Sequence, residues 1–119
     1  MNKTKWILNA YLEQNNYELF IDTITKLDIN KDNYVEYLDV IADVLKDKIV
    51  NQNPFEVTSS DKLEEAFGIR KKEKTFLEWL PDIKNAIVVI FKKKLNLSNS
   101  KYEDSEIGLR LESFKERFM

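Results

Sequence analysis

Apolar residues recur along this chain at steps of three and four, the spacing of amphipathic helices. Asn15 and Asn16 separate the first two apolar segments, and Asn33 with Glu36 has the spacing of a capping box before the third. The pattern positions are Trp6, Ile7, Ala10 and Tyr11 in a first helix, Phe20, Ile24 and Leu27 in a second that begins near Tyr17, and Leu38, Ile41, Ala42, Leu45 and Ile49 in a third.

The middle of the chain combines a polar connector with signals for two more helices. Residues 51–60, "NQNPFEVTSS", predict the connector, and a short helix through Leu63, Ala66 and Phe67 follows. Thr75 and Glu78 predict a capping box ahead of "FLEWL". We expect Pro81 to interrupt or restart that helix, because proline lacks the amide donor.

The apolar run "AIVVIF" (86–91) allows two interpretations. A helix fits the spacing of Ile83, Ile87 and Phe91, whereas a buried strand fits the β-branched residues. We favour the helix because no partner strand is evident. The tail from residue 103 presents the same choice, and its apolar residues at helical steps are Ile107, Leu111, Phe114 and Phe118.

Only two glycines and two prolines occur in 119 residues, which favours long helices with short polar connections. The sequence therefore predicts a single domain, residues 1–119, with an all-α fold of about five or six helices in a compact bundle. An α+β fold with a short strand near 86–91 is the alternative.

The chain contains neither cysteine nor histidine. Disulfides, thiolate metal sites and histidine-based acid–base catalysis are therefore excluded. We expect a protein that is not an enzyme and needs no cofactor. No stretch approaches the ~20 apolar residues of a membrane span, and the N-terminal residues lack a signal-peptide pattern, so we expect a cytoplasmic protein without membrane contact.

Residues 28–39, "DINKDNYVEYLD", have oxygen donors at the ligand spacing of a calcium loop. The candidate ligands are Asp28, Asn30, Asp32, Tyr34 through its carbonyl, and Asp39. Calcium takes six to eight oxygen ligands, which this alternation of short polar side chains suits. The segment resembles an EF-hand loop, and its Asn30 and Asp39 are similar to the loop of dockerin modules. This resemblance implies a calcium-binding helix–loop–helix module.

The same residues have a second interpretation. Asn33 stands where the EF-hand family has glycine, Asp39 stands where it has glutamate, and no second loop is found in the chain. Asp and Asn are also preferred residues at turns and helix N-termini. The segment therefore also fits a polar turn that begins the third helix.

Acidic residues continue along that helix on the side opposite its apolar positions. Like charges at this spacing destabilise a helix by about 0.2–0.5 kcal/mol per pair, which a basic partner would offset. Lys46 and Lys48 would ease the repulsion if the side is merely solvated. We call this predicted partner-binding surface the acidic face, and its residues are Asp32, Glu36, Asp39, Asp43 and Asp47.

The charge distribution is polarised, because residues 70–94 are predominantly basic whereas residues 1–60 are acidic. Lysine and arginine near Trp79 and Phe91 suggest nucleic-acid binding, although lysines at helix C-termini also favour the terminal carbonyls. The candidate residues are Arg70, Lys71, Lys72, Lys74, Lys92, Lys93 and Lys94.

Three functions are therefore expected, in order of preference. The first is a non-catalytic protein-interaction module, an inhibitor or immunity-type protein, that docks the acidic face on a basic protein. The second is an EF-hand-like calcium-binding module, and the third is a nucleic-acid-associated protein.

Overall fold

The computed structural model describes residues 2–51, 57–58, 74–96 and 106–117. Five helices form in these residues, and the all-α prediction is confirmed. The elements in chain order are α1 (Asn2–Glu13), α2 (Tyr17–Thr25), α3 (Tyr34–Asn51), β1 (Val57–Thr58), β2 (Lys74–Thr75), α4 (Phe76–Lys94) and α5 (Glu106–Glu116). The two-residue segments β1 and β2 pair antiparallel, with Val57 opposite Thr75.

The first two helices meet at a tight asparagine turn. Asn15 has a φ of 55°, a left-handed conformation that asparagine adopts more readily than most residues. Asn16 then caps α2, because its side-chain oxygen accepts a hydrogen bond of 3.1 Å from the amide of Leu19. The polar pair therefore reverses the chain and begins the next helix.

The predicted capping box at the start of α4 is present. The Thr75 hydroxyl accepts from the Glu78 amide at 3.3 Å, and the Glu78 carboxylate accepts from the Thr75 amide at 3.2 Å. These reciprocal bonds satisfy two amides that have no partner within the helix.

The prediction that Pro81 interrupts this helix is wrong, because α4 runs unbroken from Phe76 to Lys94. Proline removes the amide that would bond the carbonyl of Leu77. Leu77 is 49% exposed, so water can reach that side of the helix, while Leu80 and Ile83 hold both adjoining turns in the core. Core packing therefore outweighs the lost hydrogen bond.

The alternative of a strand at 86–91 is also wrong, since these residues are helical, and so are residues 107–111 of α5. Helix α4 packs against α2, α3, α5 and β2, so it is covered on most of its sides. A central helix needs apolar residues around most of its circumference, which explains the continuous run. Ala86, Ile87, Val88 and Phe91 are buried.

The buried side of α1 differs from the predicted one. Leu8 and Leu12 are its buried residues, whereas Trp6 is 73% exposed. The predicted apolar positions on α2, α3 and α5 do face the core, with Leu27, Ile49 and Ile107 packed at its edge. The short helix predicted at 63–67, most of the connector and Phe118 lie outside the described residues.

Candidate functional site

The acidic face lies on the outer side of α3, with Asp32 in the turn just before the helix. Its five carboxylates are all exposed, while the opposite side of the helix is buried by Leu38, Ile41 and Leu45. From Glu36 to Asp47 the helix rises about 16 Å. The side chains therefore form one continuous row in contact with solvent, and none of them takes part in the core.

Two cations from other elements lie against the middle of this row. The Lys5 amine of α1 is 4.0 Å from Asp43, and the Arg117 guanidinium after α5 is 3.6 Å from Asp39. Both pairs are well exposed, so each contributes at most about 1 kcal/mol. Within the described part of the chain, no cation lies at ion-pair distance from Asp32, Glu36 or Asp47.

Lys48 does not screen the acidic face. Its amine donates a 2.8 Å hydrogen bond to Asn15 and lies 5.8 Å from the centre of the Phe76 ring. The side chain therefore joins the ends of α1 and α3 to the start of α4. Lys46 is exposed on α3, so of the two lysines only Lys46 remains near solvent on the outer side.

The position of Arg117 depends on a buried lysine that the sequence did not single out. Lys84 of α4 is only 4% exposed, and its amine donates to the carbonyls of Lys115 at 2.7 Å and Arg117 at 2.6 Å. A cation at these carbonyls also interacts favourably with the dipole of α5. Burial lowers the pKa of Lys84 below its usual range, because removal from water disfavours the charged form.

The candidate calcium loop is organised around two asparagines. The Asn30 side chain accepts from the amides of Asp32 at 2.8 Å and Asn33 at 3.1 Å. The backbone carbonyl of Asn30 accepts from the Tyr34 amide at 2.9 Å, so Asn30 acts as the N-cap of the turn that leads into α3. This cap replaces the predicted Asn33–Glu36 capping box.

The Asn33 side chain instead forms hydrogen bonds to residues that precede it in the turn. Its side-chain oxygen accepts from the Asn30 amide, and its side-chain nitrogen donates to the Asp28 carbonyl, both at 2.8 Å. Tyr34 is buried in the core and begins α3, which places Asp39 in the second turn of the helix beside Arg117. The candidate ligands thus lie partly in the turn, at Asp28, Asn30 and Asp32, and partly in α3, at Tyr34 and Asp39.

No group of three or more Asp and Glu side chains suited to a metal ion occurs in residues 2–51, 57–58, 74–96 and 106–117. The calcium interpretation stays a prediction. Of the candidate ligand side chains, that of Asn30 already accepts from two backbone amides of the turn.

The basic candidates differ in whether they form hydrogen bonds within the fold or are exposed to solvent. The Lys94 amine donates to the carbonyl of Leu27 at 2.7 Å, so it covers the end of α2. Lys93 is exposed, and Lys92 is half-buried with a partner of its own. Arg70, Lys71 and Lys72 lie outside the described residues, and Lys74 is described only by its backbone pairing with Thr58.

A comparison of the chain with protein-family models, curated proteins and solved structures finds no match. None of the helices in the described part of the chain has the length and apolar character that crossing a membrane requires. Arguments about function therefore rest on the arrangement of the side chains.

Proposed function

We propose that this chain is a small cytoplasmic protein-interaction module without catalytic activity, which docks the acidic face of α3 on a basic protein. An inhibitor or immunity-type protein is the class that this mode of binding and this size suit. The observation that carries the proposal is the continuous row of exposed carboxylates from Asp32 to Asp47, which has no structural role in the core.

The energetics of the row favour an external cation. Repulsion between carboxylates one turn apart destabilises the isolated helix. The ion pairs with Lys5 and Arg117 offset it at Asp43 and Asp39, whereas Glu36 and Asp47 have no such cation among the described residues. A partner's lysines and arginines would become desolvated on binding and interact with the row more strongly than water-exposed cations do. The row also accelerates association with a basic surface.

The double reversal Asp43→Lys/Asp47→Lys tests this function. We expect a partner that the tagged wild-type chain captures from an extract of its native cells to be lost, because the reversal opposes the partner's charge. Glu13→Lys/Glu116→Lys is the matched control, since both residues are exposed and the change in net charge is the same. Mass spectrometry identifies and quantifies the captured protein.

Capture in calcium, in chelator and after nuclease treatment separates the other candidate functions. We expect the partner in all three conditions. Equal retention by the reversed chain and the control would contradict the proposed function. Capture that needs calcium would favour the EF-hand-like module, and capture that nuclease abolishes would favour nucleic-acid association.

A further inference from the structure

Helix α5 has the least extensive packing of the five helices in the described residues. It packs mainly against α4, whereas α1, α2, α3 and α4 each pack extensively against two or more other elements. Within α5 the buried residues are Gly108, Leu111 and Phe114. The contacts among α1, α2, α3 and α4 therefore do not depend on α5 being in place.

Most of the residues of α5 favour the helix itself rather than its attachment to the bundle. The ion pairs of Arg110 with Glu106, at 3.1 Å, and of Lys115 with Glu112, at 3.9 Å, both join residues of this helix. A helix of 11 residues is only marginally stable in water when it has no neighbour. We therefore expect α5 to unfold whenever it separates from α4.

The end of α5 is attached to α4 through a buried cation. The amine of Lys84, a residue that is only 4% exposed, donates to the carbonyls of Lys115 and Arg117 at 2.7 Å and 2.6 Å. Burial of an amine is unfavourable, and hydrogen bonds offset its cost, whereas an apolar side chain would gain free energy from burial. When α5 separates, the amine and both carbonyls bond to water instead. This contact therefore fixes the position of α5 with only a modest net stabilisation.

We propose that α5 separates from α4 as one unit while α1, α2, α3 and α4 stay folded, and that the Lys84 contact sets how often this happens. Separation of this kind is local unfolding below the global free energy of unfolding. It uncovers the side of α4 that bears Lys84, where the buried residues Leu80 and Val88 lie one turn before and one turn after it. Helix α5 is thus a cover for this side of α4.

Amide hydrogen exchange, followed residue by residue by NMR, tests the independence of α5. We expect the amides of residues 110–116 to be at least about 10-fold less protected than the most protected amides of α2 and α4. Ile24→Val changes a buried residue of α2, which packs on α1 and α4. It should accelerate exchange of the most protected amides by about 2- to 12-fold and leave the amides of α5 unchanged, because its contacts survive when α5 separates.

The role of Lys84 is tested by Lys84→Met in the same experiment. We expect the amides of residues 110–116 to exchange about 5- to 150-fold faster, because only the closed arrangement leaves the carbonyls of Lys115 and Arg117 without their donor. Lys93→Met is the matched control, since Lys93 is exposed on the same helix, and it should leave these amides unchanged.

Three results would overturn the proposal. Amides of α5 that are as protected as those of α2 and α4, and that accelerate with them in Ile24→Val, would mean that the bundle opens only as a whole. Acceleration confined to the last turn of α5 in Lys84→Met would indicate fraying of the helix end. Unchanged exchange in Lys84→Met would remove the role of Lys84. None of these results bears on docking through the acidic face.

Discussion

Replacing Trp79 by alanine should lower the free energy of unfolding by about 3–5 kcal/mol. Trp79 is fully buried in the middle of the core. Its ring makes an edge contact with Tyr17 at a centroid distance of 6.5 Å, and Tyr17 contacts Phe76 at 5.9 Å. The substitution therefore leaves a large cavity where α2 packs on α4, and the neighbouring rings lose their contacts.

Urea unfolding followed by far-ultraviolet circular dichroism measures this change. Trp6→Ala is the matched control, and we expect it to change the free energy of unfolding by less than about 0.5 kcal/mol because Trp6 is exposed. Trp79→Phe keeps an aromatic ring and provides a milder variant if the alanine variant does not fold. Equal losses for Trp79→Ala and Trp6→Ala would contradict the described core.

The second large effect is expected from Lys84→Met, at about 1–3 kcal/mol of unfolding free energy near neutral pH. Methionine fills a similar volume but leaves the carbonyls of Lys115 and Arg117 without their donor. Lys93→Met is the matched control on the same helix, because Lys93 is exposed. Guanidinium unfolding curves of the three chains give the difference.

The effect of Lys84→Met should increase as the pH rises. The pKa of Lys84 is lowered in the folded state, so between that value and the usual ~10.4 the unfolded chain binds more protons than the folded one. The Lys84 contribution to stability therefore rises with pH across this window. The neutral amine still has hydrogens to donate to both carbonyls. A difference between wild type and Lys84→Met that shrinks towards pH 10 would contradict this account.

Local signals in the sequence predicted most of the helices correctly. Thr75 and Glu78 predicted the start of α4 because a capping box involves only residues three apart. The apolar stripe of α3 faces the core because its spacing defines a single buried side. Both patterns involve only residues close together in one helix, so they can be recognised from the amino-acid sequence alone.

Predictions failed where the outcome depends on neighbouring helices. Pro81 lies inside α4 because core contacts on both sides of it outweigh one missing hydrogen bond. Trp6 looked like part of an apolar stripe, whereas the i,i+4 pair Leu8 and Leu12 forms the buried side of α1. That pair is the signal that would have placed Trp6 on the outside.

The acidic face was predictable, but its cations were not. Periodicity places Glu36, Asp39 and Asp43 on one side of α3 without any tertiary information. The ion pairs with Lys5 and Arg117 join residues far apart in the chain, and Arg117 is held by the buried Lys84 of another helix. Contacts of this kind arise only from the packing of α1, α3, α4 and α5.

Carboxyl footprinting of the complex with the captured partner tests the central claim most directly. Carbodiimide coupling labels exposed carboxylates, and mass spectrometry reports the labelling of each peptide with and without the partner. We predict that labelling falls at the acidic face, at Glu36, Asp43 and Asp47, and stays unchanged at the exposed Glu13 and Glu116. Unchanged labelling of the acidic face in a complex that protects other carboxylates would contradict the account.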